Sequence, residues 1–182
     1  MTDLFSSVPE KASLQDVLIA FPHASTELLK YIEKVMRSES PLSVGERELI
    51  ATYVSALNSC DFCYGAHLNF CRAFGIESDL IEQLIEDFDS ALVEPKLRPL
   101  LTYARKLTLN PSRLLKIDAE EVYVHGWDER ALFDTVQVCS LFNMMNRIVD
   151  GTGVSADTIN TNLKAEDLEP LRKMKYSDLL PK

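Results

Sequence analysis

Ser43-Val44-Gly45-Glu46-Arg47-Glu48-Leu49-Ile50-Ala51-Thr52-Tyr53-Val54-Ser55-Ala56-Leu57-Asn58-Ser59-Cys60-Asp61-Phe62-Cys63-Tyr64-Gly65-Ala66-His67 reads as two helices separated by a single break. Ser43 is placed as an N-cap, and Glu46, three residues on, completes a capping box. Leu49, Ile50, Tyr53, Val54 and Leu57 then recur on one face at helical spacing. Asn58-Ser59 marks the break, Ser59 is a good N-cap for the next helix, and Gly75 ends it. The break matters for chemistry. On one straight helix Glu48 and Cys60 would point ~120° apart. Two segments folded against each other instead return Glu48 to the neighbourhood of Cys60, Cys63 and His67.

Cys60, Cys63 and His67 are spaced i, i+3 and i+7, which on a helix is one narrow stripe. Cα atoms three apart on a helix lie within the roughly 4.4–6.8 Å that a disulfide tolerates, so the pair can act as a dithiol redox centre. Placement of both cysteines in the first turn adds the macrodipole, which favours thiolate. His67, one turn past Cys63, can take the thiol proton, and Glu48 can orient that imidazole or relay its proton, as in a nucleophile–base–orienter triad.

Rival readings of the thiols fail on geometry. Cys60, Cys63, His67 and Cys71 share a stripe, but Cys60 and Cys71 would stand ~16 Å apart, whereas zinc needs each ligand within about 2.3 Å. Tyr64 occupies the position where c-type haem attachment needs His, and a thioredoxin-type motif needs a preceding strand. No metal or cofactor is expected. Cys71 and Cys139, each alone on an apolar helix face, read as core residues. His23 and His125 read as turn and helix-end residues. Tyr53, Phe62 and Tyr64 either line the approach to the thiols or pack helices. Asn143 and Arg147 read as a satisfied buried amide and a surface guanidinium, with a site or subunit contact as the alternative.

Helical patterns continue along the chain: a short segment from Leu14 ended by Pro22, then Ser25 to Met36, 78–88, 95–109, 118–125 and 128–150, the last stopped by Gly151 and Gly153. No stretch alternates convincingly, so the expected class is all-α. A faint repeat sets Glu46-Arg47-Glu48-Leu49-Ile50 against Glu129-Arg130-Ala131-Leu132-Phe133, which would carry Cys60, Cys63 and His67 onto Asn143, Asn146 and Asp150 as a duplicated helical hairpin. Residues 157–182 read as a short helix near 165–174 and a C-terminal arm. The expected organisation is one domain over 1–182, with a core of about 40–155 and an N-terminal helical extension over 1–39.

The 182 residues are 46% hydrophobic and 26% charged, with net charge −9 from 28 acidic and 19 basic side chains. A chain this long can bury a substantial core without cross-links. The acidic balance, with no basic cluster, argues against nucleic acid and anionic membrane as partners. No apolar run approaches the ~20 residues of a membrane span. Met1 to Ser7 lacks the basic start and apolar run of a signal peptide. A reducing cytoplasm is therefore expected, where CxxC reads as redox or metal chemistry rather than as a staple.

The sequence resembles the AhpD-like alkylhydroperoxidase family within the carboxymuconolactone decarboxylase superfamily, and more narrowly its uncharacterised peroxidase-related branch. Glu46-Arg47-Glu48-Leu49-Ile50-Ala51, Val54-Ser55, Asn58, Cys60-x-x-Cys63 and His67 carry the likeness. Trp127-Asp128-Glu129-Arg130-Ala131, Phe142-Asn143-Met144-Met145-Asn146-Arg147 and Asp150-Gly151-Thr152-Gly153 extend it over roughly residues 40–155. The resemblance implies an all-helical fold assembled as a trimer or hexamer, and thiol-dependent reduction of organic hydroperoxides. It implies that Glu48 is the acidic relay member, Cys60 and Cys63 the redox pair, and His67 the proton acceptor. Cys63 would attack the peroxide, Cys60 would resolve the sulfenic acid, and an external dithiol or protein reductant would reset the disulfide. Phe62 stands where the best-known members carry a second histidine, which simplifies the proton network. Two other readings stand beside this one: a carboxymuconolactone-decarboxylase-like lyase acting on a carboxylated lactone, which does not require CxxC, and a non-enzymatic redox-sensing helical oligomer.

Overall fold

Capping chemistry sets where the helices begin. In the computed structural model, which describes residues 4–179, Ser13 accepts from the Asp16 N–H while its own N–H donates to the Asp16 carboxylate, opening α1 (Leu14–Ala20). Ser43 and Glu46 close the same reciprocal box, at 2.6 and 3.2 Å, at the head of α3 (Val44–Leu57). Between them lies α2 (Ser25–Arg37), and after them α4 (Asp61–Ala73), α5 (Ser78–Glu86), α6 (Arg98–Leu109), α7 (Lys116–Val124), α8 (Glu129–Thr152) and α9 (Ala165–Leu168). The described residues contain no strand. Removing the Ser43 hydroxyl in Ser43→Ala is expected to cost about 1 kcal/mol, lowering Tm by roughly 2–4 °C. An unchanged melting curve would show that packing alone starts α3.

The third helix is the axis of the fold. It packs most extensively on α4, then on α8, α6 and α5. The single apolar face expected for it understates its burial: from Gly45 to Ser55 almost every side chain is enclosed, including Arg47, Glu48, Thr52 and Ser55. A helix this enclosed must satisfy its polar groups internally. Thr52 donates to the Glu48 carbonyl, Ser55 to the Ala51 carbonyl, and Arg47 to the carbonyls of Val35 and Ser38. Around it one continuous apolar core runs from Leu29 and Met36 through Ile50, Leu101 and Phe142 to Tyr176.

Several boundaries differ from the sequence expectation for identifiable reasons. The sixth helix starts at Arg98 rather than 95, with Pro99 in its first turn, where a missing N–H costs nothing. The eighth helix runs through Gly151 and stops at Gly153, which takes the left-handed conformation (φ 75°). Residues 129–152 form one unbroken helix, so Asn143, Asn146 and Asp150 share α8 rather than spanning a second hairpin.

Beyond residue 155 the chain does not trail away. Ser155 N–H bonds the Ala12 carbonyl at 2.8 Å, Asn69 donates to the Asn160 carbonyl, and Arg72 donates to the carbonyls of Thr161 and Leu163. The helix expected near 165–174 is the single turn α9 followed by a 3₁₀ segment over Glu169–Lys173, with Pro170 near its start. Tyr176 then enters the core. The segment thus straps across α4 and roofs the space above it.

Candidate active site

The site forms at the elbow between α3 and α4. Asn58 caps α3, and Ser59 takes a left-handed conformation (φ 56°) that reverses the chain. Cys60, not Ser59, is the N-cap of α4; its backbone is extended and its side chain makes no capping bond. The expected stripe of three residues on one helix is therefore corrected: Cys63 and His67 lie on α4, while Cys60 sits just outside it. The elbow is pinned from α8. The Asn58 amide donates to Asn146 at 2.9 Å and to Asn143 at 3.2 Å, and Asn146 donates to the Ser55 hydroxyl at 3.0 Å.

Both thiols are free and buried, and their environments push them apart. A hydrogen bond from the Cys60 thiol to the Cys63 sulfur raises Cys60 far above an ordinary thiol, and burial and the hydrogen bond to Asp150 act in the same direction. The same bond lowers Cys63, assisted by Asn146 and opposed by burial and the Asp150 charge. Cys63 occupies the third position of α4, inside the first turn, where the macrodipole also favours the thiolate. Cys71, by contrast, bonds Thr52 and is driven upward by burial, and Cys139 bonds the Ala104 carbonyl. Both are core residues.

Glu48 and His67 meet directly. The Glu48 carboxylate, fully buried, places Oε2 2.6 Å from His67 Nδ1. Its other oxygen, Oε1, lies 2.6 Å from Nη1 of Arg37 and 3.5 Å from the Tyr176 hydroxyl. With Nδ1 engaged, Nε2 is the nitrogen His67 has left for a thiol or a substrate. The imidazole is held edge-on to Phe142, with ring centroids 4.4 Å apart.

Cys63 and His67 both line a cavity of about 320 Å³ between α4, α8 and the C-terminal strap, together with Phe62, Phe142, Met145 and Ile159. Cys60 is sealed behind it. No lysine, arginine, aspartate or glutamate among the described residues lines this space. Of the three aromatics left open by the sequence, Phe62 faces the cavity, Tyr53 stacks on Phe88, and Tyr64 packs against the core. Asn143 is satisfied by Thr108 and the Cys139 carbonyl, Arg147 is exposed, and His23 and His125 lie at a turn and a helix end.

Arg37 and Tyr176 escaped the sequence reading. An arginine in the last turn of a helix ordinarily answers the helix dipole from the surface, so nothing marked Arg37 as inward-facing. Tyr176 lies in a polar, irregular stretch whose path only the fold reveals.

Comparison with known proteins follows the same lines. The profile described as the carboxymuconolactone decarboxylase family matches residues 22–105. A curated relative, the uncharacterized protein YdfG of Bacillus subtilis (strain 168), is 27% identical over 110 residues, covering 60% of this chain and 75% of its own. An uncharacterized peroxidase-related protein from Silicibacter sp. TM1040 superposes with a TM-score of 0.73 at 28% identity, covering 78% of this chain and 74% of that one. The alkylhydroperoxidase AhpD core structure of a peroxidase-related protein from Ralstonia eutropha JMP134 gives 0.72 at 24% identity, covering 77% and 74%, and shows the shared fold. In its all-helical fold and in these sequence likenesses, the chain is similar to the carboxymuconolactone decarboxylase family and to AhpD-like peroxidase-related proteins.

Proposed function

We propose that the protein is a thiol-dependent peroxidase acting on organic hydroperoxides. The observation that carries this reading is the shared cavity: Cys63, the thiol held low, and His67, the imidazole backed by Glu48, line one apolar space while Cys60 waits behind. His67 takes the Cys63 proton. The thiolate attacks the terminal peroxide oxygen, the O–O bond breaks, and the departing alkoxide takes a proton to leave as an alcohol. Cys63 is now a sulfenic acid. Cys60 attacks that sulfur, water leaves, and the Cys60–Cys63 disulfide forms. An external dithiol or protein reductant then returns both thiols by exchange and departs oxidised.

An uncharged lining suits an alkyl or aryl hydroperoxide. It suits a carboxylated lactone poorly, because burying a carboxylate without a cation is costly. That weakens the lyase alternative. Exposed Leu115, Ile117 and Val124 on and beside α7, with Phe133 on α8, offer an apolar surface for the homo-oligomer expected of such folds. No helix among the described residues is long and apolar enough to cross a membrane.

Titration of the reduced protein with cumene hydroperoxide tests the proposal. One equivalent is expected to yield one Cys60–Cys63 bond by mass spectrometry, with one cumyl alcohol released, and dithiothreitol is expected to sustain turnover. Disulfide formation without turnover would favour the redox-sensing alternative, and peroxide-independent lactone decarboxylation would favour the lyase.

A further inference from the structure

Arg37 is an unusual arginine. It stands in the last turn of α2 yet turns inward, leaving only 12% of its side chain exposed. Its guanidinium lies against two neighbouring rings, 5.1 Å from the Phe70 centroid and 5.0 Å from that of Tyr176, the rings themselves being 6.3 Å apart. Nη1 takes Glu48 Oε1 at 2.6 Å and the Met36 carbonyl at 3.1 Å, while Nε and Nη2 are buried without a hydrogen-bond partner among the described residues. A surface arginine would keep those donors in water, so this one is held inward by its contacts with the carboxylate and the two rings.

We infer that Arg37, held against Phe70 and Tyr176, is a positioning residue for the Glu48–His67 relay. It fixes the carboxylate so that Oε2 meets His67 Nδ1, which leaves Nε2 as the nitrogen that can accept the Cys63 proton. This rests on the relay proposed above.

Charge balance gives the reason. A buried carboxylate facing only an imidazole draws a proton onto that imidazole, and an imidazolium cannot act as a base. A guanidinium on the other oxygen already matches the charge. The remaining ionisable groups around Glu48 and Arg37 are Arg47 on α3, Glu33 on α2, Cys71 on α4 and Tyr176 on the strap. Glu33 is occupied by the Tyr176 backbone N–H at 2.7 Å. Arg47 is spent on backbone carbonyls, and Cys71 and Tyr176 are both raised by burial, hence neutral. Arg37 is therefore the cation that faces the relay. Because Tyr176 arrives from the C-terminal strap, docking of that segment and alignment of the relay are one structural event.

Labelling of Cys63 by methyl methanethiosulfonate, followed against pH by mass spectrometry, reads thiolate formation without any peroxide. Removing a cation raises the proton affinity of every group facing it. Arg37→Gln is thus expected to move the labelling midpoint about one unit to higher pH and to slow labelling at pH 7 about tenfold. Arg37→Lys, which restores the charge, is expected to bring the midpoint back. Midpoints that coincide in folded wild-type, Gln and Lys proteins would overturn the inference. Should Arg37→Gln fail to fold, nitrogen NMR of His67 in the wild-type protein decides: a neutral ring protonated at Nδ1 at pH 7 supports the positioning role, and an imidazolium or the opposite tautomer overturns it. Arg37-dependent labelling in a protein that consumes no peroxide would sink the peroxidase reading and uphold the positioning role.

Discussion

Cys63→Ser is expected to abolish peroxide-dependent turnover, by on the order of a thousandfold or more, while Cys60→Ser consumes a single equivalent of cumene hydroperoxide and stops. The asymmetry follows from placement. Cys63 lines the cavity and has its thiol held low by the Cys60 hydrogen bond, whereas Cys60 is sealed from the cavity and raised. Cys60→Ser therefore retains a nucleophile with nothing to resolve it, and a sulfenic acid at Cys63 should accumulate and be trapped by dimedone. The introduced hydroxyl can still donate to the Cys63 sulfur, so the initial burst should survive. Because the charged form of Cys63 is the one favoured, the burst rate should rise with pH and level off through a midpoint below the ordinary thiol value of 9.0. Dimedone-trapped sulfenic acid on Cys60 in the Cys63→Ser protein would reverse the assigned order of attack.

Glu48→Gln should register in two independent measurements. The substitution keeps shape and removes charge, leaving the Arg37 guanidinium with neutral partners alone: the new amide, the Met36 carbonyl and the two rings. Breaking one side of a buried ion pair costs roughly 3–5 kcal/mol. Arg37 retains slight exposure, which sets the expectation at about 3 kcal/mol, or roughly 6–12 °C in Tm. Loss of the carboxylate behind His67 should also slow thiolate formation by about 10²–10⁴-fold. The two effects separate in the double variant Arg37→Met with Glu48→Gln. Removing the stranded cation should recover much of the stability, as coupled neighbours do, and none of the rate. A Glu48→Gln protein with wild-type Tm and an unchanged pH–rate profile would remove Glu48 from both roles.

How much of this was legible in the chain depends on the range of each interaction. Ser13 and Asp16, or Ser43 and Glu46, meet within three residues, so their reciprocal bonds can be read from spacing alone. The break at Asn58-Ser59 is equally local, because the αL residue and the cap must sit where the chain reverses. One residue of error there mattered. Placing the cap at Ser59 rather than Cys60 put both thiols on the helix, when the turn leaves Cys60 outside and only Cys63 in the first turn. Boundaries are where local propensity is weakest, and here the Cys60 N–H bond to the Ser55 carbonyl across the elbow settled the matter. Arg37 was invisible for a different reason: its partners stand eleven, thirty-three and more positions away along the chain, from Glu48 to Phe70 and Tyr176.

From sequence alone came the helical class, the capped start of α3, the elbow, and the types of group gathered near it: two sulfurs, an imidazole and a carboxylate. Those are matters of periodicity and near-neighbour hydrogen bonding, which a linear string preserves. Tertiary structure decided which sulfur meets the cavity, that Arg37 and Tyr176 share Glu48 with His67, and that the segment beyond residue 155 roofs the site. Burial and charge balance are properties of a volume, and residues far apart in the chain become neighbours in it only when the core closes.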